Sequence, residues 1–196
     1  MKTQRWLRIL ALLLALSTAA SAAPVSYQVT TSYSNVSFSV YEFLVTKQEG
    51  VFRDFSGEIV YDKDHPEQSH VQLTVQAASV DTRNGTRDRA VRSTDYLDVE
   101  KYPTLSFVST KVGQAPGGVL AVTGNFTLHG VTRQITIPVR LLGEHDVPTN
   151  QIFAGFETTF DIDRSDYGVI GGLAGNLPLG KVVTIHLSIG ARRQTG

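Results

Sequence analysis

Four arginines fall within ten residues, Arg83, Arg87, Arg89 and Arg92, interleaved with Asp81, Asp88 and Asp95. A guanidinium is a planar fork that gives paired hydrogen bonds to phosphate or carboxylate, so this stretch is a candidate for receiving a polar or anionic head group. The same charges also suit a salt-bridged, solvated helix in which the aspartates neutralise the arginines, and both readings stand at the level of residues. Elsewhere the chemistry is sparse. His65, His70, His129, His145 and His186 lack zinc-type spacing and have no cysteine to join them, so no metal is expected. There is no Gly-x-Ser-x-Gly elbow to expose a nucleophile. The glycines between Gly168 and Gly180 lack the spacing and the Lys-Ser/Thr pair of a phosphate loop and read as turn chemistry. Asn35, Asn84 and Asn125 begin glycosylation sequons, which matter only in a eukaryotic secretory route. Catalysis has no positive support; the chain is expected not to be an enzyme and to carry no cofactor.

What would position the charged stretch is a series of strands. Val36–Val40, Val71–Ala77, Val122–Leu128 and Ile135–Leu141 alternate apolar and polar residues, which places all apolar side chains of a strand on one face. About eight such antiparallel strands must stack as a sandwich or close into a barrel with an apolar lumen, and the alternation does not choose between them. Between Asp81 and Lys101 the alternation stops. Residues 86–97 are the best short-helix candidate, with Asp88 and Arg92 spaced to pair at i, i+4, and Tyr102-Pro103 ends it. His129-Gly130 reads as a tight hairpin link, Ala115-Pro-Gly-Gly118 as a turn, and residues 26–43 as one long or two short strands.

The first 22 residues read as a cleaved signal peptide. Lys2, Arg5 and Arg8 form its basic region, Leu7–Leu16 apart from Arg8 its apolar run, and Ala20-x-Ala22 its cleavage site. The expected protein is therefore periplasmic or secreted, residues 23–196 make one domain, and no transmembrane anchor remains. Losing three basic residues leaves 15 against 18 acidic ones, a net of −3, which gives no reason to expect nucleic acid as a partner. A chain without cysteine must be held by its core alone, and this one is long enough for that.

Six motifs in order carry a resemblance. They are Asn35–Val40, Gly50-Val-Phe52 with Phe55-Ser-Gly57, Ala78–Thr82 followed by Arg87-Asp88 and Arg92–Asp98, Tyr102–Phe107, Gly124–Thr132, and Arg164–Gly168. Together they resemble the bacterial YceI-like family of periplasmic lipid- and polyisoprenoid-binding proteins. The resemblance implies an all-β fold, an extended lipocalin-like eight-stranded antiparallel barrel with a short helix near one end. It implies a lumen that holds an isoprenoid or other long-chain lipid, carried, stored or sequestered. The inward candidates are Phe38, Val40, Leu73, Val75, Phe107, Phe126, Leu128, Phe156 and Ile185. Arg87, Asp88, Arg92, Asp95, Arg164 and Asp166 are rim or head-group candidates, and more readily residues that hold the helix and a loop to the rim. Tyr41-Glu42 stand where the family commonly has a basic residue or histidine, so a head-group role there is not carried over. A homodimer is left open. The alternative is a barrel that docks a membrane redox or stress-response protein without bound lipid; a lipid hydrolase would need the nucleophile signature this chain lacks.

Overall fold

The computed structural model describes residues 23–43, 45–148, 151–171 and 179–194. The segment read as a signal peptide and most of the glycine-rich stretch after Gly171 lie outside these residues. Eleven strand segments, β1 (Val25–Val29), β2 (Asn35–Glu42), β3 (Thr46–Phe52), β4 (Phe55–Tyr61), β5 (His70–Gln76), β6 (Val80–Asp81), β7 (Thr104–Ala115), β8 (Val119–Leu128), β9 (Val131–Val147), β10 (Gln151–Asp163) and β11 (Leu179–Arg193), form one antiparallel sheet. The pairing of β1 with β11 closes it, Tyr27 facing Arg193 and Val29 facing Ala191. Three pairs of segments, β1 with β2, β3 with β4 and β5 with β6, are single strands broken at a bend, so the ring is an eight-stranded barrel.

The bends share one corner. Residues 30–34, Arg53-Asp54 and the 3-10 turn Ala77–Ser79 interrupt neighbouring strands and are tied across by Arg53 N–H to the Ser79 carbonyl and Gln76 N–H to the Asp54 carbonyl. Gly190 of β11 meets the corner, where an added Cβ would lie 2.6 Å from the Tyr33 carbonyl oxygen. Breaks of this kind let a strongly twisted sheet curl onto itself. The hairpins behave as their turn residues require: His129 and Gly130 both take the left-handed conformation, φ 51° and 73°, which matches the strand twist in a two-residue link.

One stretch of the wall is not laddered. β10 pairs with β9 only over Gln151–Glu157 against Arg140–Val147, and residues 131–139 and 158–163 share no pairing among the described residues. Tyr167, 2% exposed, fills the gap, its ring edge-on to Phe126 and beneath the Arg133 guanidinium. Pro138 lies on this run of β9, opposite Ala121 of β8 on one side and without a β10 partner on the other, an edge-like position where proline is tolerated.

The helix α1 (Gly85–Arg92) is shorter than residues 86–97. Asn84 caps it by accepting from the Thr86 and Arg87 N–H groups, and Ser93 ends it, its N–H and hydroxyl both bonded to the Ala90 carbonyl. From there to Lys101 the chain runs in turns, with Asp98 in the left-handed region. None of the described helices is long and apolar enough to cross a membrane.

Candidate functional site

Inward-facing side chains from every strand of the ring surround one cavity of about 580 Å³. All nine apolar residues singled out from the sequence line it, Phe38 and Val40 from β2, Leu73 and Val75 from β5, Phe107 from β7, Phe126 and Leu128 from β8, Phe156 from β10 and Ile185 from β11. The period-two parity holds through β8, β10 and most of β11. In β7 it is rescued by a bulge between Ser109 and Lys111, after which Val112 faces inward again. Tyr27 and Tyr61 pack edge-on against Phe156 at 6.0 and 6.4 Å, where the cavity runs toward Ser69 and His70.

The polar lining gathers at the other end, where the β2–β3 hairpin, α1 and the start of β11 meet. Arg87 donates from Nε to Thr82 Oγ1 at 3.0 Å, from Nη2 to the Thr82 carbonyl at 2.9 Å and from Nη1 to Gln48 Oε1. Gln48 Nε2 in turn donates to Glu42 Oε2 at 2.9 Å. Glu42, Gln48, Thr82 and Arg87 all line the cavity, and so do the solvent-exposed Glu49, Asn84 and Thr86, which makes this end an open mouth. Among the described residues Arg87 spends three of its N–H groups in this chain, leaving two of the five a guanidinium carries.

The other rim candidates separate. Arg164 lines the cavity but donates to the carbonyls of Val169, Leu179 and Gly180, clamping the segment after β10 to the start of β11. Asp88 faces away and accepts from the Thr82 backbone N–H at 2.8 Å and from its hydroxyl at 2.6 Å. The Thr82 hydroxyl holds the Asp88 carboxyl below its ordinary range; partial desolvation opposes this and the Thr82 N–H adds to it. Arg92 does not bond to Asp88 at i, i+4; its Nε and Nη2 reach the carbonyls of Ala78 and Val80. Asp95 is exposed, and Asp166 sits on the outer wall with Arg133, 3.5 Å away. Neither lines the cavity. Asp81 pairs with Arg53, in the bend between β3 and β4, rather than with the helix.

Sequence reasoning passed over two lining residues whose parity marks them. Gln48 shares the face of Gly50 and Phe52, and Thr158 that of Phe156 and Phe160. Thr158 is 7% exposed and its hydroxyl has no partner among the described groups. An unpaired buried hydroxyl costs about 1–3 kcal/mol. Thr158→Val, nearly isosteric, is expected to stabilise the unliganded protein by about 1 kcal/mol in urea denaturation. No gain would mean that a water or another group already satisfies it.

The fold and its lined lumen define a class of closed antiparallel barrels with an apolar internal cavity. Residues 27–191 match the family model described as YceI-like domain, and the chain belongs to that family. It is 35% identical to a protein of Pseudomonas aeruginosa named UPF0312 protein, over 97% of this chain and 99% of that one. A Shewanella relative of the same name is 35% identical over 84% of this chain and 88% of its own. Among solved structures, Burkholderia cenocepacia BcnA superposes with a TM-score of 0.74 at 25% identity, covering 83% of this chain and 98% of that one. A Saccharophagus degradans protein, described as a polyisoprenoid binding domain implicated in plant cell wall breakdown, gives 0.67 at 16% identity, covering 87% and 99%.

Proposed function

We propose that this chain binds a polyisoprenoid or a similar long-chain amphiphile, with the tail along the lumen and the polar end at the Arg87–Gln48–Glu42 mouth. The observation that carries the reading is the cavity itself. At about 580 Å³ it lies inside the ~300–1,000 Å³ range of ligand sites and is walled by apolar side chains from every strand of the ring. A tail needs no specific partner there, because each buried methylene contributes about 0.8 kcal/mol. Affinity then grows with chain length while selectivity stays loose. Family membership and the likeness to the Saccharophagus polyisoprenoid binding domain support the same class of ligand. At the mouth Glu42 and Glu49 stand beside Arg87 and Arg164, so the charges balance. That suits an uncharged polar head such as a hydroxyl, phenol or quinone better than a diphosphate. We further propose export to the periplasm behind the amino-terminal leader, and a role as container rather than catalyst.

Native mass spectrometry of the mature protein isolated from a bacterial periplasm tests this. The expected spectrum carries one added mass that extracts as an isoprenoid or fatty amphiphile. An unliganded mass that stays unchanged after incubation with such lipids would return the lumen to the status of an underfilled core.

A further inference from the structure

Five of the nine exposed large apolar side chains among the described residues gather at the mouth end, while Tyr33, Val108, Val131 and Leu142 lie elsewhere on the barrel. Val45 is 79% exposed, Ile170 71%, Val182 55%, Tyr41 51% and Phe43 48%. These five belong to one neighbourhood. Tyr41, Phe43 and Val45 form the β2–β3 hairpin tip, whose Tyr41 backbone would lie 3.1 Å from a Cβ on Gly180. Val182 lies two residues after Gly180, and Arg164 ties Gly180 and Leu179 to Val169, the residue before Ile170. Phe43 holds φ at 53°, a region that bulky residues avoid and that a glycine would occupy without strain. The exposed cations beside the patch are Arg83, Lys181 and Lys47, the last of which lies across from Tyr41 and pairs with Glu49 at 3.0 Å. The described turns of the opposite end present Lys63, Asp64, Glu67, Gly117, Gly118, Glu144 and Asp146 instead.

We propose that the mouth docks on a lipid bilayer, the tip residues Tyr41, Phe43 and Val45 entering the headgroup layer while the neighbouring cations meet anionic headgroups. The inference rests on the lumen being a lipid site, and it adds where that lipid is exchanged. Two features select a bilayer over a protein partner. The apolar tips ring the opening through which a tail must pass, so docking there shields the tail from water during transfer. Aromatic and aliphatic tips combined with lysine and arginine are also what the interfacial region of a bilayer accepts, each side chain placing its apolar part inward and its charge outward.

The test is co-sedimentation of the mature protein with vesicles of phosphatidylethanolamine holding about a quarter phosphatidylglycerol. Uptake of nitrobenzoxadiazole-labelled farnesol from vesicle-free solution is measured in parallel. Wild type is expected to pellet with the vesicles, and the Phe43→Ser, Val45→Ser double variant to bind them about tenfold more weakly or less, with probe uptake unchanged. Both positions are exposed, so the double variant keeps the fold. Failure of wild type to bind vesicles, equal binding by the double variant, or a wild-type dimer in ultracentrifugation that the double variant loses would each overturn docking, the last by showing a second copy on the patch. Vesicle binding without probe uptake would leave docking standing and remove the lipid lumen; probe uptake without vesicle binding would do the reverse.

Discussion

Ile185→Trp is expected to reduce uptake of a long-chain lipid by more than about 100-fold while the barrel stays folded. Ile185 lies midway along β11, facing Phe38 on β2 and Phe160 on β10, and all three point into the cavity. It is only half-buried, so an indole at this position grows into empty lumen rather than into packed atoms. Overpacking a filled core costs about 1–3 kcal/mol, and most of that is avoided here. The ligand has no such escape. Displacing about four methylenes of tail at about 0.8 kcal/mol each removes about 3 kcal/mol of binding, a little more than 100-fold. Titration with a fluorescent isoprenoid, paired with thermal denaturation, reads both parts. Unchanged uptake in a folded Ile185→Trp protein would place the ligand outside the lumen. Ile185→Val, which enlarges the lumen slightly, should differ little from wild type, and Ile185→Trp should still bind vesicles, because the docking surface is untouched.

The second large effect is on stability. Asp88→Ala is expected to lower stability by about 2–3 kcal/mol, because it strips a carboxylate from two hydrogen bonds and leaves Thr82 unpaired on that side. For a domain of this size the melting temperature falls by about 5–10 °C. Thr82 is 4% exposed, and it also accepts Arg87, so the loss should propagate to the mouth and weaken ligand binding as well. Asp88→Asn keeps one acceptor oxygen and is expected to fall between the two. The folded-state pKa of Asp88 is depressed, so its contribution is fully present above the unfolded carboxyl value. That contribution is lost as pH falls through the folded value. Wild type and Asp88→Ala should therefore converge in stability under acid conditions and diverge toward neutral pH. A gap that stays constant across that range would show that Asp88 acts through packing rather than through its charge.

These two sites also mark how far the residues alone carry the interpretation. Ile185 was legible: a side chain in a strand of strict alternation has its face decided by a period of two, and a continuous apolar face must be buried somewhere. The His129-Gly130 link was legible because two left-handed residues are what a tight hairpin demands. Asp88 was only partly so. Its charge and its neighbourhood with Arg92 at i, i+4 suggested an ion pair on a helix surface, whereas it bonds a threonine six residues back and Arg92 reaches the carbonyls of Ala78 and Val80. Local spacing ranks partners along a helix. It carries no information about a chain segment, here the turn at Ala78 and the start of β6, that packs beside the helix and whose carbonyls compete for the same guanidinium. The helix end was misjudged for the same reason: Ser93 bonds back to Ala90 and diverts the chain into turns that tertiary packing stabilises.

By itself, then, the amino-acid sequence determined that this chain forms an antiparallel β-fold of about eight strands with one face of each buried and one helical excursion, since alternation and turn residues are local properties. Whether the apolar faces meet as a filled core or stand around a space is decided by strand tilt, by three bends at one corner and by the closure of β1 on β11. Those are properties of the ring as a whole, because the lumen of a barrel depends on strand number and stagger and not on any single strand. Only the tertiary structure, for the same reason, brings Glu42 and Gln48 of the β2–β3 hairpin together with Thr82 and Arg87, some forty residues on, into one hydrogen-bonded mouth.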